Sequence, residues 1–275
     1  MKLVPVLLLA LGMNPSYGQN PIGIPDIINY YSSTYAAGTE NRSIVEDQNG
    51  IMYFANLEGL LTFDGAFWKL YPFPNKSTVR SLAMGRDNRI YAGGQDNFGY
   101  FSPGKDGKLV FTSLKPLIPK KDNSFFDIWE IVPLGNDIFF RSREKIFQYS
   151  NHSITVYPAA SEWSFLGKGN NILIAQDLKN GLMQFSNGLW TSLPDSSNLP
   201  PGYLVSSVFS CGQDSLFLAT INTGFFILSN NRITPFRFAG VNPFRNQRIL
   251  TAIPVTKDRI AIGTNLNGCY IINKK

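Results

Sequence analysis

A repeated unit of about 40 residues constrains this chain more than any other feature of its sequence. Residues 59–72 read GLLTFDGAFWKLYP and residues 181–194 read GLMQFSNGLWTSLP, with Gly, Leu, Phe, Trp and Pro at the same five places. Each stretch belongs to a unit of four short runs rich in the residues that favour β-strands. The position before the third run recurs at spacings of 40, 46, 36, 43 and 44, at Gly59, Gly99, Lys145, Gly181, Gly224 and Gly268.

Four strands in each unit of 40–45 residues is typical of the blades of a β-propeller. The sequence therefore predicts an all-β propeller of four-stranded blades, in which six blades are visible and the last is incomplete. The predicted blades cover residues 42–72, 79–114, 127–158, 163–194, 204–238 and 249–275. Either the chain is a fragment of a longer protein, or residues 22–31 supply the missing strand and close the ring. A stacked β-sandwich is the alternative fold, but it does not predict this regular repeat.

The first 18 residues have the pattern of a secretory signal peptide. Lys2 is followed by a short apolar run over residues 3–13, and Ser16 and Gly18 place small residues before a predicted cleavage at Gln19. The alternative is a buried N-terminal strand. We expect residues 19–40 to form an N-terminal segment and residues 41–275 to form the propeller of an exported protein.

Charge and cysteine content bear on the possible binding partners of the chain and on its disulfides. The net charge is +6, but Lys and Arg are scattered, so a solvated basic surface is preferred over nucleic-acid binding for this segment. Cys211 and Cys269 lie in apolar strand patterns and are predicted to be small buried residues rather than a disulfide. The four Trp residues are predicted to lie in the core, with Trp68 and Trp190 between neighbouring blades.

Candidate catalytic groups are few. His152 is the only histidine and falls in a predicted turn, and the chain has neither HExxH nor GxSxG. A glycosidase needs only two carboxylates, and Glu58, Asp96 and Asp177 are the candidates on one face of the blades. The sequence predicts no catalytic residues, no metal site and no cofactor. An exported propeller enzyme, either a polysaccharide lyase or a glycosidase, is the alternative.

The loops between the second and third strands are the predicted ligand site. All six are expected at the same end of the propeller, where amides, carboxylates and guanidinium groups suit hydrogen bonding to a polar ligand such as a glycan. Short polar residues are equally ordinary in turns. The predicted ligand-binding residues are Asn56, Glu58, Gln95, Asp96, Asn97, Arg141, Arg143, Gln176, Asp177, Asn180, Asn222, Asn265 and Asn267.

The start of the predicted mature chain resembles a known family. Residues 29–71 contain Asn29-Tyr30, Tyr35, Gly38 and Asn41, followed by the YFAN, GLL and DG motifs at residues 53–56, 59–61 and 64–65. This pattern is similar to the periplasmic sensor region of Bacteroidetes-type regulators with two-component-regulator propeller repeats and a triple-tyrosine domain. A later unit, IGTNLNGCYI at residues 262–271, fits the degenerate repeat of that family.

The resemblance implies a seven-bladed periplasmic sensor propeller. In such regulators a triple-tyrosine domain, a transmembrane helix and an output follow, and the output is a histidine kinase or a DNA-binding segment in transcription regulation. We therefore expect a non-catalytic ligand-sensing module of a membrane-bound regulator, in contact with the membrane only through segments absent here. It could pair as a homodimer through the propeller. A secreted protein-binding scaffold is a further alternative.

Overall fold

The computed structural model describes residues 28–238, 244 and 246–274. This part of the chain forms 23 strands in six antiparallel sheets, which confirms the predicted all-β propeller. The predicted signal peptide lies outside the described residues. So do residues 22–27 of the predicted ring-closing strand, and residues 28–31 are not in a strand.

The first three blades each contain four strands in sequential order. Strands β1 to β4 of blade one are Asn41–Glu46, Met52–Asn56, Gly59–Phe63 and Trp68–Tyr71. Strands β5 to β8 of blade two are Val79–Met84, Ile90–Gly94, Asn97–Pro103 and Leu109–Ser113. Strands β9 to β12 of blade three are Glu130–Leu134, Asp137–Arg141, Lys145–Ser150 and Ser153–Pro158.

The next two blades repeat this order, and the sixth sheet has three strands among the described residues. Strands β13 to β16 of blade four are Trp163–Gly169, Ile172–Asp177, Gly181–Ser186 and Leu189–Ser192. Strands β17 to β20 of blade five are Val205–Ser210, Ser215–Thr220, Phe225–Ser229 and Arg232–Phe236. Strands β21 to β23 of blade six are Ile249–Pro254, Arg259–Thr264 and Cys269–Asn273.

Within the described ranges, helical structure is confined to short segments before and between the blades. The helix α1 is Ser32–Tyr35 and precedes blade one. Four 3-10 turns lie in the connections between blades, at Pro74–Lys76, Lys115–Leu117, Lys120–Asp122 and Pro194–Asn198. No helix in the described ranges is long and apolar enough to cross a membrane.

The core lies between the blades. The first strands of successive blades contact each other in chain order, so they surround the axis. Five apolar clusters fill the five successive interfaces, because alternating side chains on each strand face opposite neighbours. Phe217 of blade five, for example, packs towards Ile262 of blade six, whereas Leu218 belongs to the cluster shared with blade four.

A bulge interrupts five of the six first strands near their start. The register with the second strand shifts at residues 41–44, 79–81, 163–165, 205–207 and 249–251. A bulge adds a residue that the neighbouring strand does not match, and it re-aims the side chain there. In blade three, Trp129 just precedes β9, and its N–H donates to the Arg141 carbonyl at 2.8 Å.

In five blades a short polar side chain closes the loop after the second strand; it is the last residue of that strand in four of them and the next residue in blade three. The Oγ1 atom of Thr220 accepts from the Thr223 N–H at 3.2 Å and donates to the Gly224 carbonyl at 2.6 Å. Equivalent bonds within the loop are made by Asn56, Ser142, Asp177 and Thr264. Blade two has Gly94 at this position and a two-residue loop instead.

The recurring glycine at or near the start of the third strand is required by sterics in the first two blades. Gly59 has a φ of 143°, and a Cβ atom there would lie 2.3 Å from the carbonyl oxygen of Tyr71. Both the left-handed backbone and the close approach exclude a side chain. At Gly99 the close approach alone is decisive, because a Cβ atom would lie 2.0 Å from the Thr112 carbonyl oxygen.

The segment that precedes blade one covers one face of its sheet. Tyr30 and Tyr35 lie 5.3 Å from the Trp68 ring, between ring centroids, and Trp68 stacks on Phe63 at 4.4 Å. These rings occupy the face of blade one that points away from blade two. Trp68 is therefore packed by aromatic side chains rather than by a neighbouring sheet.

Blade six exposes the face that points away from blade five. Ile253 and Ile271 are 56% and 64% exposed there, although both are apolar strand residues. Cys269 lies on the same face and is exposed, so its predicted burial is wrong. The apolar sequence of β23 is typical of a strand buried on both faces, which is why burial was predicted. Cys269 is exposed because none of the described residues packs on its face.

We expect Gly59→Ala to lower the free energy of unfolding by about 2 kcal/mol or more, because the methyl group overlaps the Tyr71 carbonyl. Urea denaturation measures the change. The control is Gly212→Ala, where the new Cβ would lie 3.6 Å from its nearest neighbour and the φ is not positive. Equal stability of the two variants would contradict the steric role of Gly59.

Candidate functional site

Two of the predicted ligand-binding residues are buried links between blades. The Arg141 guanidinium donates from Nη1 to the Trp163 carbonyl at 2.6 Å and pairs through Nε with Glu130. The Gln176 amide donates to the Tyr203 carbonyl at 2.9 Å and accepts from the Val205 N–H at 2.8 Å. Their hydrogen-bonding groups therefore hold the next blade in place.

Asn56 and Asp177, also predicted to bind ligand, are fully buried loop caps. The Asn56 amide donates to the Gly38 carbonyl and to Asn41 Oδ1, which ties the N-terminal segment to blade one. The Asp177 carboxylate accepts four backbone N–H bonds, from residues 160, 161, 179 and 180. Neither side chain is presented to a ligand in this arrangement.

The remaining predicted residues lie on the expected loop face. Asp96 pairs with Lys115 at 2.7 Å, and the Asn97 Oδ1 atom accepts from Ser113 Oγ at 2.8 Å. Asn222 lines a cavity of about 270 Å³ near the end of blade five. The other exposed members are Glu58, Gln95, Asn180, Asn265 and Asn267. Ligand contact by these side chains stays a prediction.

Arg143, like Asn222, lines a cavity, and the cavity beside Arg143 is the larger of the two. Arg143 borders a cavity of about 470 Å³, which we call the loop-face pocket, between the second-to-third-strand loop of blade three and the connections that enter blades three and four. The pocket is lined by Phe126, Asp127, Trp129, Arg143, Glu144, Ser161 and Glu162. Phe126 is 70% exposed, so one wall is an aromatic side chain that the fold leaves open.

Trp129 brings three blades together at the axis. The Cζ atom of Arg80, from blade two, lies 5.0 Å from its ring centroid, and that of Arg42, from blade one, lies 5.9 Å away. A contact from blade one to blade three across blade two is possible only beside the central axis. The half-buried Trp129 ring therefore lies beside the loop-face opening of the axis, and its prediction as a core residue is wrong.

Each guanidinium around Trp129 already has a carboxylate partner. Arg80 Nε lies 2.6 Å from Asp127, and Arg42 lies 2.5 Å from Glu40. Arg143 binds Glu162 through two bonds of 2.7 and 2.8 Å, and this pairing raises the pKa of the guanidinium. Each of the three guanidinium charges is therefore balanced by a carboxylate, and the ion pairs hold polar groups at fixed positions around an aromatic ring.

Three features bear on acid–base and metal chemistry in the described part of the chain. No cluster of three or more possible metal ligands occurs among the described residues. His152 lies in the exposed turn between β11 and β12, at the opposite end of the blade from the loop-face pocket. Asp177, one of the three carboxylates considered for a glycosidase, is buried and bound by backbone donors.

Comparison with known proteins gives a fold but no family. No protein-family model matches the chain, and no curated protein matches it. Solved propellers do match. The extracellular domain assigned to the hybrid two-component system BT4673 from B. thetaiotaomicron superposes with a TM-score of 0.65 and 15% identity. The match covers 86% of this chain and 32% of that domain, so the chain spans about a third of its length.

Two further structures show how widely this fold is shared. Virginiamycin B lyase from Staphylococcus aureus has a TM-score of 0.61 and 16% identity, over 84% of this chain and 83% of the lyase. The WD40 propeller domain of Doa1 has a TM-score of 0.55 and 8% identity, over 86% and 87% of the two chains. At these identities the likeness establishes the propeller fold alone.

We expect Asp177→Ala to lower the free energy of unfolding by about 3 kcal/mol, because four N–H donors lose their acceptor inside the protein. Asp214 is the matched control, since it is exposed in a hairpin turn of blade five and Asp214→Ala should change stability by less than about 0.5 kcal/mol. Urea denaturation followed by circular dichroism compares the two. A stable Asp177→Ala variant would show that the carboxylate is free for another role.

Proposed function

We propose that this chain is the non-catalytic sensing propeller of an exported signalling protein, and that it binds a neutral, hydroxyl-rich ligand such as a glycan in the loop-face pocket. The observation that carries the proposal is the Trp129 ring beside the axis, with ion-paired guanidinium groups around it. Aromatic rings stack on the apolar faces of sugar rings, and fixed polar groups bind hydroxyls. Pockets of this size commonly hold small ligands.

The ion pairs favour a neutral ligand over a charged one. An anionic ligand would have to compete with Asp127 for Arg80 and with Glu162 for Arg143, at distances of 2.6 and 2.7 Å. A cationic ligand would meet the guanidinium groups themselves. Hydroxyl groups can accept from the remaining N–H groups and donate to carboxylate oxygens without breaking either pair.

The sensing role has two supports. The propeller superposes on the extracellular domain of a two-component system, and the sequence begins with a signal-peptide pattern. Catalysis has weaker support, because Asp96 is paired with Lys115 and Asp177 is buried. The likeness to a lyase concerns the fold, and the lyase's activity is not transferred to this chain.

The proposal extends to parts of the protein that the described residues do not contain. Residues 1–18 would be removed after Gly18, leaving a periplasmic sensor. A seventh blade, a triple-tyrosine domain, a membrane helix and a kinase or transcriptional output would follow, and pairing of two propellers would carry the signal. The exposed face of blade six, with Ile253 and Ile271, supports a further blade at that position.

We expect Trp129→Ala and Phe126→Ala to weaken glycan binding about tenfold or more, because each removes a stacking surface. Isothermal titration calorimetry with a panel of neutral and uronate-containing oligosaccharides measures the affinities. Phe67→Ala is the matched control, since Phe67 is 76% exposed at the opposite end of blade one. Binding restricted to uronates, or unaffected by Trp129→Ala, would refute the proposed site. No binding of any glycan would favour a protein-binding scaffold.

We expect Cys269 to react quickly with a thiol reagent in the 275-residue chain and to be protected when the natural downstream sequence is present. A seventh blade would pack on the face that carries this thiol. Reaction with Ellman's reagent measures both rates, and Cys211, which is half-buried, is the internal reference. Equal reactivity of Cys269 in both proteins would contradict a covering blade.

A further inference from the structure

A second and larger cavity lies at the opposite end of the propeller, between blades one and two. Its volume is about 740 Å³, and it opens among the turns that join first to second and third to fourth strands. We call it the hairpin-face pocket. Its apolar and aromatic lining includes Tyr53, Phe67, Tyr71, Met84, Ile90 and Leu109, and its polar lining includes Glu46, Asp47, Asp64 and Lys69.

The cavity exists because one interface position is filled by a small residue. Thr62 pairs with Tyr53 and faces blade two. The positions that correspond in the register of the next four blades hold larger side chains: Tyr100, Gln148, Gln184 and Ile227. Blade one therefore leaves open a space that its counterparts fill.

The walls of this pocket are apolar and aromatic. Tyr53 is buried, and Tyr71, Met84 and Leu109 are half-buried around the opening. Phe67, at the tip of the turn between β3 and β4, is 76% exposed and borders the entrance. An exposed aromatic ring beside a cavity provides contact area that the fold itself does not use.

The rim is acidic, in contrast to the chain as a whole. Glu46, Asp47 and Asp64 line the pocket together with one amine, that of Lys69, although the chain carries a net charge of +6. The N–H groups of Phe67 and Ala66 donate to Asp64 and lower the pKa of its carboxyl, so it stays ionised at neutral pH. Asp47 accepts the Tyr53 hydroxyl at 3.0 Å and two backbone N–H bonds.

An ammonium group already occupies this aromatic environment. The Nζ atom of Lys69 lies 4.9 Å from the centroid of the Tyr71 ring, within the range of a cation–π interaction. This contact shows that the wall accepts a positive charge. Lys69 is exposed, so its side chain can move away when another cation enters.

We propose that the hairpin-face pocket binds a small amphipathic cation, an ammonium or guanidinium group carried on an apolar body. The apolar body would fill the gap beside Thr62, and the charged group would lie between the aromatic rings and the carboxylates of the rim. This site is independent of the loop-face pocket, because the two have no lining residue in common.

Three probes of similar shape and different charge test the proposal: phenethylammonium, 2-phenylethanol and phenylacetate. We expect the ammonium to bind at least about tenfold more tightly than the alcohol, and the anion to bind most weakly, because cation–π contacts and the acidic rim favour positive charge. Titration calorimetry or NMR chemical shifts measure the affinities. The affinity for the ammonium should also fall as salt is raised.

Two variants locate the binding. Glu46→Gln should lower the affinity for phenethylammonium about threefold, and Phe67→Ala should lower it by a similar or larger factor. Both positions are exposed, so folding should be preserved. Asp214→Asn, in the corresponding turn of blade five, and Phe126→Ala, in the loop-face pocket, should leave the affinity unchanged.

Equal affinity for the three probes, or no binding of the ammonium at millimolar concentration, would overturn the proposal. Binding that neither Glu46→Gln nor Phe67→Ala reduces would also overturn it, because the cation would then lie elsewhere. None of these results bears on the glycan proposal, which depends on Trp129 and Phe126. The two sites can therefore fail or succeed separately.

Discussion

Every blade in this protein depends on its neighbour to bury its apolar faces. Alternation along a strand gives the sheet two apolar sides, and the described structure has five interfaces in which these sides meet. Polar links also join neighbouring blades from blade two to blade six, such as Ser81 Oγ to the Ile128 carbonyl at 2.9 Å and the Ala252 N–H to Ser207 Oγ at 2.7 Å. Arg141 and Gln176 belong to this set, which explains why they are buried.

The repeat in the sequence predicts the fold well because its recurring residues are required by local backbone geometry and packing in each blade. Gly59 recurs as Gly181 and Gly224, which have a positive φ at the start of the third strand or just before it. Loop residues that cap their own loop could not be separated in the sequence from residues free to contact a ligand, because both roles use the same short polar side chains. Alternation does provide one missed signal. Arg141 lies two residues after Phe139 in β10, so both face blade four and burial follows.

The position of Trp129 beside the axis and the loop-face pocket could not be predicted from the residues near it in the sequence. Arg42 and Arg80, which contact its ring, are 87 and 49 residues away in the chain. They reach Trp129 only because the first strands of the blades surround one axis. The cavity beside Thr62 was missed for a related reason. A small residue creates space only relative to the opposing sheet, and the sequence does not show which sheets oppose each other before the blades are assembled.

One strand connects the two proposed sites and keeps them apart. β5 carries Arg80 at the Trp129 ring and Met84 in the hairpin-face pocket, and four residues of strand separate them by roughly 13 Å. The contacts of β5 with β1 and β9 hold this distance. We expect the two proposed sites to select different ligands, since ion-paired guanidinium groups surround Trp129 whereas three carboxylates and one amine line the other pocket. A movement of blade two against blade one or blade three would couple the two sites, and any such coupling would have to be reciprocal.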